Sequence, residues 1–277
     1  MSDAQAIDDG EFADDFGAAL DEAAQYVPDV PDAPDSEAAQ PADAGASDFD
    51  TDIDPEVEDD AEADDPLAGL KRTLAANVVD YHQRRRTLFD WMHPARVATL
   101  PYAALLHAAV GTRGARLAEA FLASIGAASA GLSAFDDDSA RLVRLPVPDC
   151  LSLFRMRALV EHVYELRLWI DRPRRALLDE WLGPHLTRML LAQRGSLTAG
   201  RPLDGETSGD ALAWRGFRLF ERDCGWDVQH PMMLLQFALP DEIAPARLAA
   251  VSGRAKVSNA GLTLVSQLPD LFPTRSW

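Results

Sequence analysis

The charge of this chain changes sign at one point. Residues 1–65 hold 24 of its 45 Asp and Glu and no Lys or Arg, the first base being Lys71. That segment carries a formal −24, whereas the remaining 212 residues, with 21 acids against 26 bases, carry a formal +5. Ordering backbone costs roughly 1–2 kcal/mol per residue, and stretches such as "DFDTDIDPEVEDDAEADDP" offer almost no aliphatic clusters to offset it. Residues 1–65 are therefore expected to form a disordered acidic tail. Two short patches in it, Phe12, Phe16 and Leu20 and then Tyr26 and Val27, have the spacing of a transient amphipathic helix. The tail reads either as solvating or as a peptide for a basic surface, on a partner or on the body of the same chain.

From Pro66 onward the pattern turns helical. Leu67, Leu70, Leu74, Val78, Tyr81, Leu88 and Met92 recur every three or four residues behind a proline suited to a first helical turn. Arg84, Arg85 and Arg86 follow as a solvated basic face or a docking patch. Two Ala-rich helices come next, punctuated by Gly111, Gly114 and Gly126, and then a loop with a short extended piece over Leu142–Leu145. A helix is expected from about Cys150 to Ile170 on the apolar face of Met156, Leu159, Val160, Val163, Leu166 and Ile170. Asp171 caps a second helix that Gly183-Pro184 stops, and a third ends near Gly195. Beyond a Gly/Ser/Thr loop at 196–210, "ALAWRGFRLFERDCG" turns Leu212, Phe217 and Phe220 inward. "MMLLQFALP" is a buried helix or strand, and one or two helices close the chain. The expected fold is all-α: an irregular multi-helix bundle over residues 66–277 behind the acidic tail.

Candidate chemistry fails for want of partner residues. His162 and Glu165 share a helix face with Glu161 beside them, the three-residue spacing of carboxylate-bridged metal bundles, but Glu-x-x-His occurs nowhere in the chain and His-Glu-x-x-His is missing. An exposed face laced with Arg157 and Arg167 explains these acids. Ala127-x-Ser129-x-Gly131 approaches a nucleophile elbow, yet a helical pattern stands where that chemistry needs a strand. Asp48, Asp50 and Asp52 alternate as in a calcium loop, but Ile53 occupies the position that requires glycine. Cys150 and Cys224 make no ligand spacing and are expected as buried, reduced thiols. A body of +5 attached to a −24 segment argues against nucleic acid, and no run of about 18 apolar residues suggests a membrane span. The expectation is a soluble cytosolic protein with no cofactor, no metal and no enzymatic activity.

The stretch "RMRALVEHVYELRLWIDRPRRALLDEWLGPHLTRMLLAQRG" resembles the helical region of the SctK family, of which the Hrp-type members look closest, in its helix lengths and in the placement of Leu159, His162, Glu165, Arg167, Leu177, Leu178 and Gln193. "FDWMHPARVATLP" before it and "LAWRGFRLFERD" with "LLQFALP" after it extend the similarity over about residues 87–240. The resemblance implies a helical cytoplasmic adaptor of the type III secretion sorting platform. It would link the C-ring-like platform subunit (SctQ) to the cytosolic domain of the inner-membrane ring protein (SctD), meeting the membrane only through these protein partners. The alternative is a cytosolic chaperone or regulator whose acidic tail mimics a polyanion.

The surface such an adaptor would use is expected around Arg167, Arg172, Arg174 and Arg175, with Trp181. Bases at a helix start cost about 0.3–1 kcal/mol each against the helix dipole, which an acidic partner surface, or this chain's own tail, would answer; a plain solvated patch is the other explanation. Trp169, Trp181, Trp214 and Trp226 lie near helix ends, where Trp serves as an interface anchor or as core.

Overall fold

The structure, a computed structural model, describes residues 66–101, 103–193, 203, 207–241 and 259–275. The acidic segment, the Asp48–Asp52 alternation and most of the 196–210 loop lie outside the described residues. Within them the chain is helical and contains no strand.

Helix α1 spans Pro66–Arg86 and is followed by the short α2 (Leu88–Trp91), α3 (Pro94–Thr99), α4 (Ala103–Ala108) and the longer α5 (Gly111–Ser124). The apolar stripe expected along α1 is only partly used, since Leu70 is 64% exposed while Tyr81, Leu88 and Met92 are buried. The basic run that follows is not the solvated face anticipated for it. Arg84 is buried and donates to the carbonyls of Val143, at 2.6 Å, and Leu145. Arg85 is buried and forks onto Glu119 of α5 at 3.2 and 2.7 Å, so only Arg86 faces solvent. The two guanidinium groups satisfy carbonyls and a carboxylate that the packing of α1 would otherwise strand.

Those carbonyls belong to a second departure. Residues 142–145, expected extended, fall in or just after a 3₁₀ helix, Asp138–Arg144, which Asp137 caps by accepting from the Ser139 N–H at 2.6 Å. Ala140, Leu142, Val143 and Leu145 are buried, and three-residue spacing presents them together in a way neither a strand nor an α-helix would.

The centre of the molecule is the crossing of α6 (Val147–Val160) on α10 (Gly209–Cys224). A Cβ on Gly216 would stand 1.7 Å from the Phe154 carbonyl oxygen, so the backbones meet where no other residue fits. Around this point Phe154, Phe217 and Phe220 pack edge-on or tilted with ring centroids 5.5 and 5.6 Å apart, and Leu212 is buried with them as expected. Gly225 ends α10 in the left-handed conformation (φ 67°, ψ 34°). The reversal stacks Trp226 on Phe220 at 5.8 Å and His230 on Trp226 at 5.1 Å. The "MMLLQFALP" run is then a buried 3₁₀ helix, Pro231–Ala238.

The single helix expected over 150–170 is broken. After α6 ends at Val160, Glu161 and His162 turn, and α7 restarts over Val163–Leu168. Asp171 then caps α8 (Arg172–Leu182) as anticipated, its carboxylate accepting from the Arg174 N–H at 3.0 Å. Gly183, at φ 82° and ψ 154°, permits the sharp passage into α9 (Pro184–Ala192). Helices α11 (Ala260–Ser266) and α12 (Leu268–Leu271) complete the described body, packing on α10 and α9. No helix of the described residues is long and apolar enough to cross a membrane.

The stretches that flank the main region of resemblance meet in space. His93 donates its N–H to the Phe237 carbonyl at 2.8 Å, Arg96 donates to the Leu239 carbonyl at 2.6 Å, and the Trp214 indole donates to the Pro240 carbonyl at 2.8 Å. "HPAR", "FALP" and "LAW" thus form one joint between the α2–α3 corner, the 3₁₀ helix Pro231–Ala238 and α10.

Candidate interaction surface

The polar groups in the interior are committed to holding helices together. Arg157 and Asp223 are both fully buried at the side chain; Arg157 Nε donates to Asp223 Oδ2 at 2.7 Å with Nη2 2.6 Å away. The same oxygen accepts the Gly261 N–H at 3.1 Å, and Oδ1 accepts from Arg222 at 2.9 Å. One carboxylate therefore joins α6, α10 and α11. Removing either member of a buried pair of this kind costs about 3–5 kcal/mol, because the other charge is left without a partner.

A serine and a histidine also meet in the core. Ser139 Oγ accepts from the Trp226 indole at 2.8 Å and lies 3.4 Å from His230 Nε2. His230 Nδ1 accepts from the Met232 N–H at 3.3 Å, so the ring proton sits on Nε2 and no carboxylate orients the imidazole. Ser139 is fully buried and has no approach for a substrate. The pair is a structural link, and burial drives the His230 pKa down to about 4, keeping the ring neutral. Burial likewise pushes the Cys150 thiol up to about 11 and the Cys224 thiol up to about 12. Both cysteines are free, Cys224 only half-buried, and neither is a thiolate at neutral pH.

Glu161, His162 and Glu165 sit at the break between α6 and α7. His162 Nε2 is 3.0 Å from Arg215 Nη1; a guanidinium can only donate, so the imidazole lone pair faces Arg215 and the proton is on Nδ1. Glu161 bridges Arg157 at 3.4 Å and Arg215 at 3.2 Å, and Glu165 accepts the Leu203 N–H at 3.0 Å. The face is less exposed than its acids implied, since His162 is buried and Glu165 half-buried. The three side chains brace the helix break. Among the described residues no group of three or more His, Cys, Asp and Glu is placed to hold a metal. Ser129 lies in a non-regular turn after α5, where the Ala130 N–H donates to the Tyr81 hydroxyl at 3.1 Å; no strand precedes it.

The arginines expected to meet a partner divide into two kinds. Arg167 Nε donates to the Leu191 carbonyl at 3.0 Å and Nη2 to that of Gln193, closing the C-terminus of α9. Arg175 Nε donates to the Trp169 carbonyl and so fixes the α7–α8 turn. Arg172 and Arg174 are exposed. Arg174 lies 5.7 Å from the Trp169 ring centroid and pairs loosely with Asp171 at 3.5 Å, while Arg172 has no partner among the described residues. Trp181, expected on the same surface, is instead buried near Arg155 and Gly209, and Trp214 and Trp226 are core as well. The helical spacing of the sequence did not distinguish these roles, because a guanidinium that caps a helix and one that faces water occupy similar positions in the pattern.

Sequence reasoning missed what lies between them. Leu168 is 63% exposed and Ile170 88%, with Tyr164 exposed nearby. Ile170 was expected on the buried face of a continuous helix, but α7 ends at Leu168 and Trp169 is no longer helical (φ −73°, ψ 87°), which takes Ile170 out of that register. The result is a fixed corner of apolar side chains followed directly by Arg172 and Arg174.

This is a helical body whose internal ionic and aromatic groups serve packing and whose α7–α8 corner presents an apolar and basic surface. The family of HrpB4, a bacterial type III secretion protein, matches residues 68–274, and the chain belongs to it. No curated protein and no solved structure matches.

Proposed function

We propose that this chain is a non-enzymatic adaptor of the SctK kind in the type III secretion sorting platform. It works in the cytoplasm at the cytosolic face of the apparatus and links a C-ring-like subunit to the cytosolic domain of the inner-membrane ring protein. Membership of a type III secretion family supports the setting. The observation that carries the adaptor reading is the α7–α8 corner. Its backbone is held by Arg167, Arg175 and the Asp171 cap, while Leu168, Ile170, Arg172 and Arg174 face outward. A surface ordered before binding loses little further conformational entropy on docking, so its apolar contacts count more fully toward affinity. The test is reconstitution of the full chain with the ring subunit and the inner-membrane ring domain. The expected outcome is one complex containing all three, formed only when this chain is present. A ring subunit and ring domain that associate equally well without it contradict the proposal.

A further inference from the structure

We propose that residues 1–65 dock on the α7–α8 corner of their own chain, covering Leu168 and Ile170 and facing Arg172 and Arg174 with their carboxylates. The family match begins at residue 68, so this acidic segment lies outside it and calls for a role of its own. Charge complementarity points to the body as the surface it meets, since the segment carries −24 and the rest of the chain +5. At the corner that charge is concentrated by two exposed guanidinium groups at the first turn of α8, where the helix dipole adds positive potential. Asp171, the cap, also pairs with Arg174 at 3.5 Å and offsets part of it, which leaves Arg172 with no acid partner among the described residues, while Asp179 and Glu180 lie about two turns along α8.

The apolar half of the match is equally specific. Phe12, Phe16 and Leu20 recur at intervals of four, which places them on one side of a helix, and acids flank them at Glu11, Asp14, Asp15, Asp21 and Glu22. An amphipathic helix of that kind lays its apolar stripe on an exposed apolar surface and its charges on the rim, and Ile170, 88% exposed, with Leu168 is such a surface. Another exposed apolar residue, Val110, lines a groove of about 380 Å³ in which Asp90 offsets Arg86, so it offers an acidic peptide no excess of positive charge. Reach imposes no limit. A flexible chain of 65 residues spans roughly 40–48 Å, against a radius of gyration of about 17 Å for a body of 212 residues. Tethering also raises the local concentration of the segment to the millimolar range. The inference does not need the ring-subunit reading; if both hold, a partner at this corner must displace the segment.

The experiment uses the full chain carrying Ala18→Cys with a nitroxide spin label. Cys150 and Cys224 are first replaced by Ala, since both are free thiols and Cys224 is only half-buried. Isoleucine δ-methyl signals report distance, with exposed Ile125 as the internal control. At about 20 mM salt the Ile170 signal is expected to lose more than about half its intensity while Ile125 keeps its own, with recovery at about 0.5 M salt, where charges are screened beyond roughly 4 Å. Arg172→Glu with Arg174→Glu, at unchanged melting temperature, is expected to restore the Ile170 signal without salt. An undiminished Ile170 signal at low salt overturns the proposal, as does equal broadening of Ile125. Broadening that appears between spin-labelled and isotope-labelled chains in a mixture assigns the contact to a second copy and overturns it too.

Discussion

The α6–α10 crossing and the α7–α8 corner, joined where α6 leads into α7, use the same residue types to opposite ends. At the crossing, Arg157 is fully buried and its charge is spent on Asp223; at the corner, Arg172 is exposed with no partner among the described residues. Phe154 and Phe217 are sealed at the crossing, whereas Leu168 and Ile170 face outward at the corner. The difference arises where α7 stops. A helix continued past Leu168 would carry Val163, Leu166 and Ile170 along one buried stripe, but Trp169 ends the helix, so Val163 and Leu166 stay inside and Ile170 is out. Stability resides in the first region, and the second is free to bind.

That division can be broken most severely at Gly216. Gly216→Ala puts a methyl group 1.7 Å from the Phe154 carbonyl, so α6 and α10 must separate and the central aromatic cluster opens. The expected outcome is loss of a cooperative thermal transition, followed by circular dichroism, with overpacking and lost burial together exceeding about 4 kcal/mol. A variant that melts like the parent would show that the two backbones are not in contact.

The buried ion pair gives the next effect. Arg157→Met leaves Asp223 charged in the interior and is expected to cost about 3–5 kcal/mol in denaturant unfolding. The double variant Arg157→Met/Asp223→Leu is expected to recover only part of that loss, because the buried charge is gone but Arg222 and the Gly261 N–H lose their acceptor. Equal losses in the single and double variants would mean that packing, and not charge, sets the cost.

His230 supplies a smaller, pH-dependent effect. Its folded pKa, about 4, lies below the ordinary 6.5, because burial disfavours the imidazolium. The unfolded chain therefore takes up a proton near pH 6.5 that the native ring refuses until about pH 4. The stabilisation is complete above pH 6.5 and declines as pH falls through that window, by about 3 kcal/mol at most. Stability measured from pH 7 to 4 is expected to fall with this slope, and His230→Gln to flatten it while lowering stability at pH 7.

Much of the fold was legible because helices announce themselves by caps and periodicity. Asp171, Gly183 and Pro184 carry local chemistry that fixes a helix start or stop whatever the surroundings, and the inward residues of α10 follow the 3.6-residue repeat. What escaped depended on tertiary contacts. Arg84 and Arg85 are buried only because carbonyls 59 and 61 residues away and Glu119 on another helix receive them. The 3₁₀ helix at Asp138–Arg144 has a three-residue repeat too short to separate from a loop. The break at His162 follows from its packing beside Arg215 of α10, which no local pattern encodes. Arg172 and Arg174 are exposed, which local sequence sufficed to suggest, while Trp181 could be assigned to core or surface only by its neighbours.

The central claim is that binding is separated from stability at the α7–α8 corner. The most direct measurement is a calorimetric titration of the C-ring-like subunit into the full chain and into its Leu168→Ser/Ile170→Ser variant, with thermal melts of both. The variant is expected to keep its stability within about 0.5 kcal/mol of the parent, as for exposed positions, and to bind at least about tenfold more weakly, a loss of about 1.4 kcal/mol. Unchanged affinity with unchanged melting would contradict it and place the binding surface elsewhere on the body.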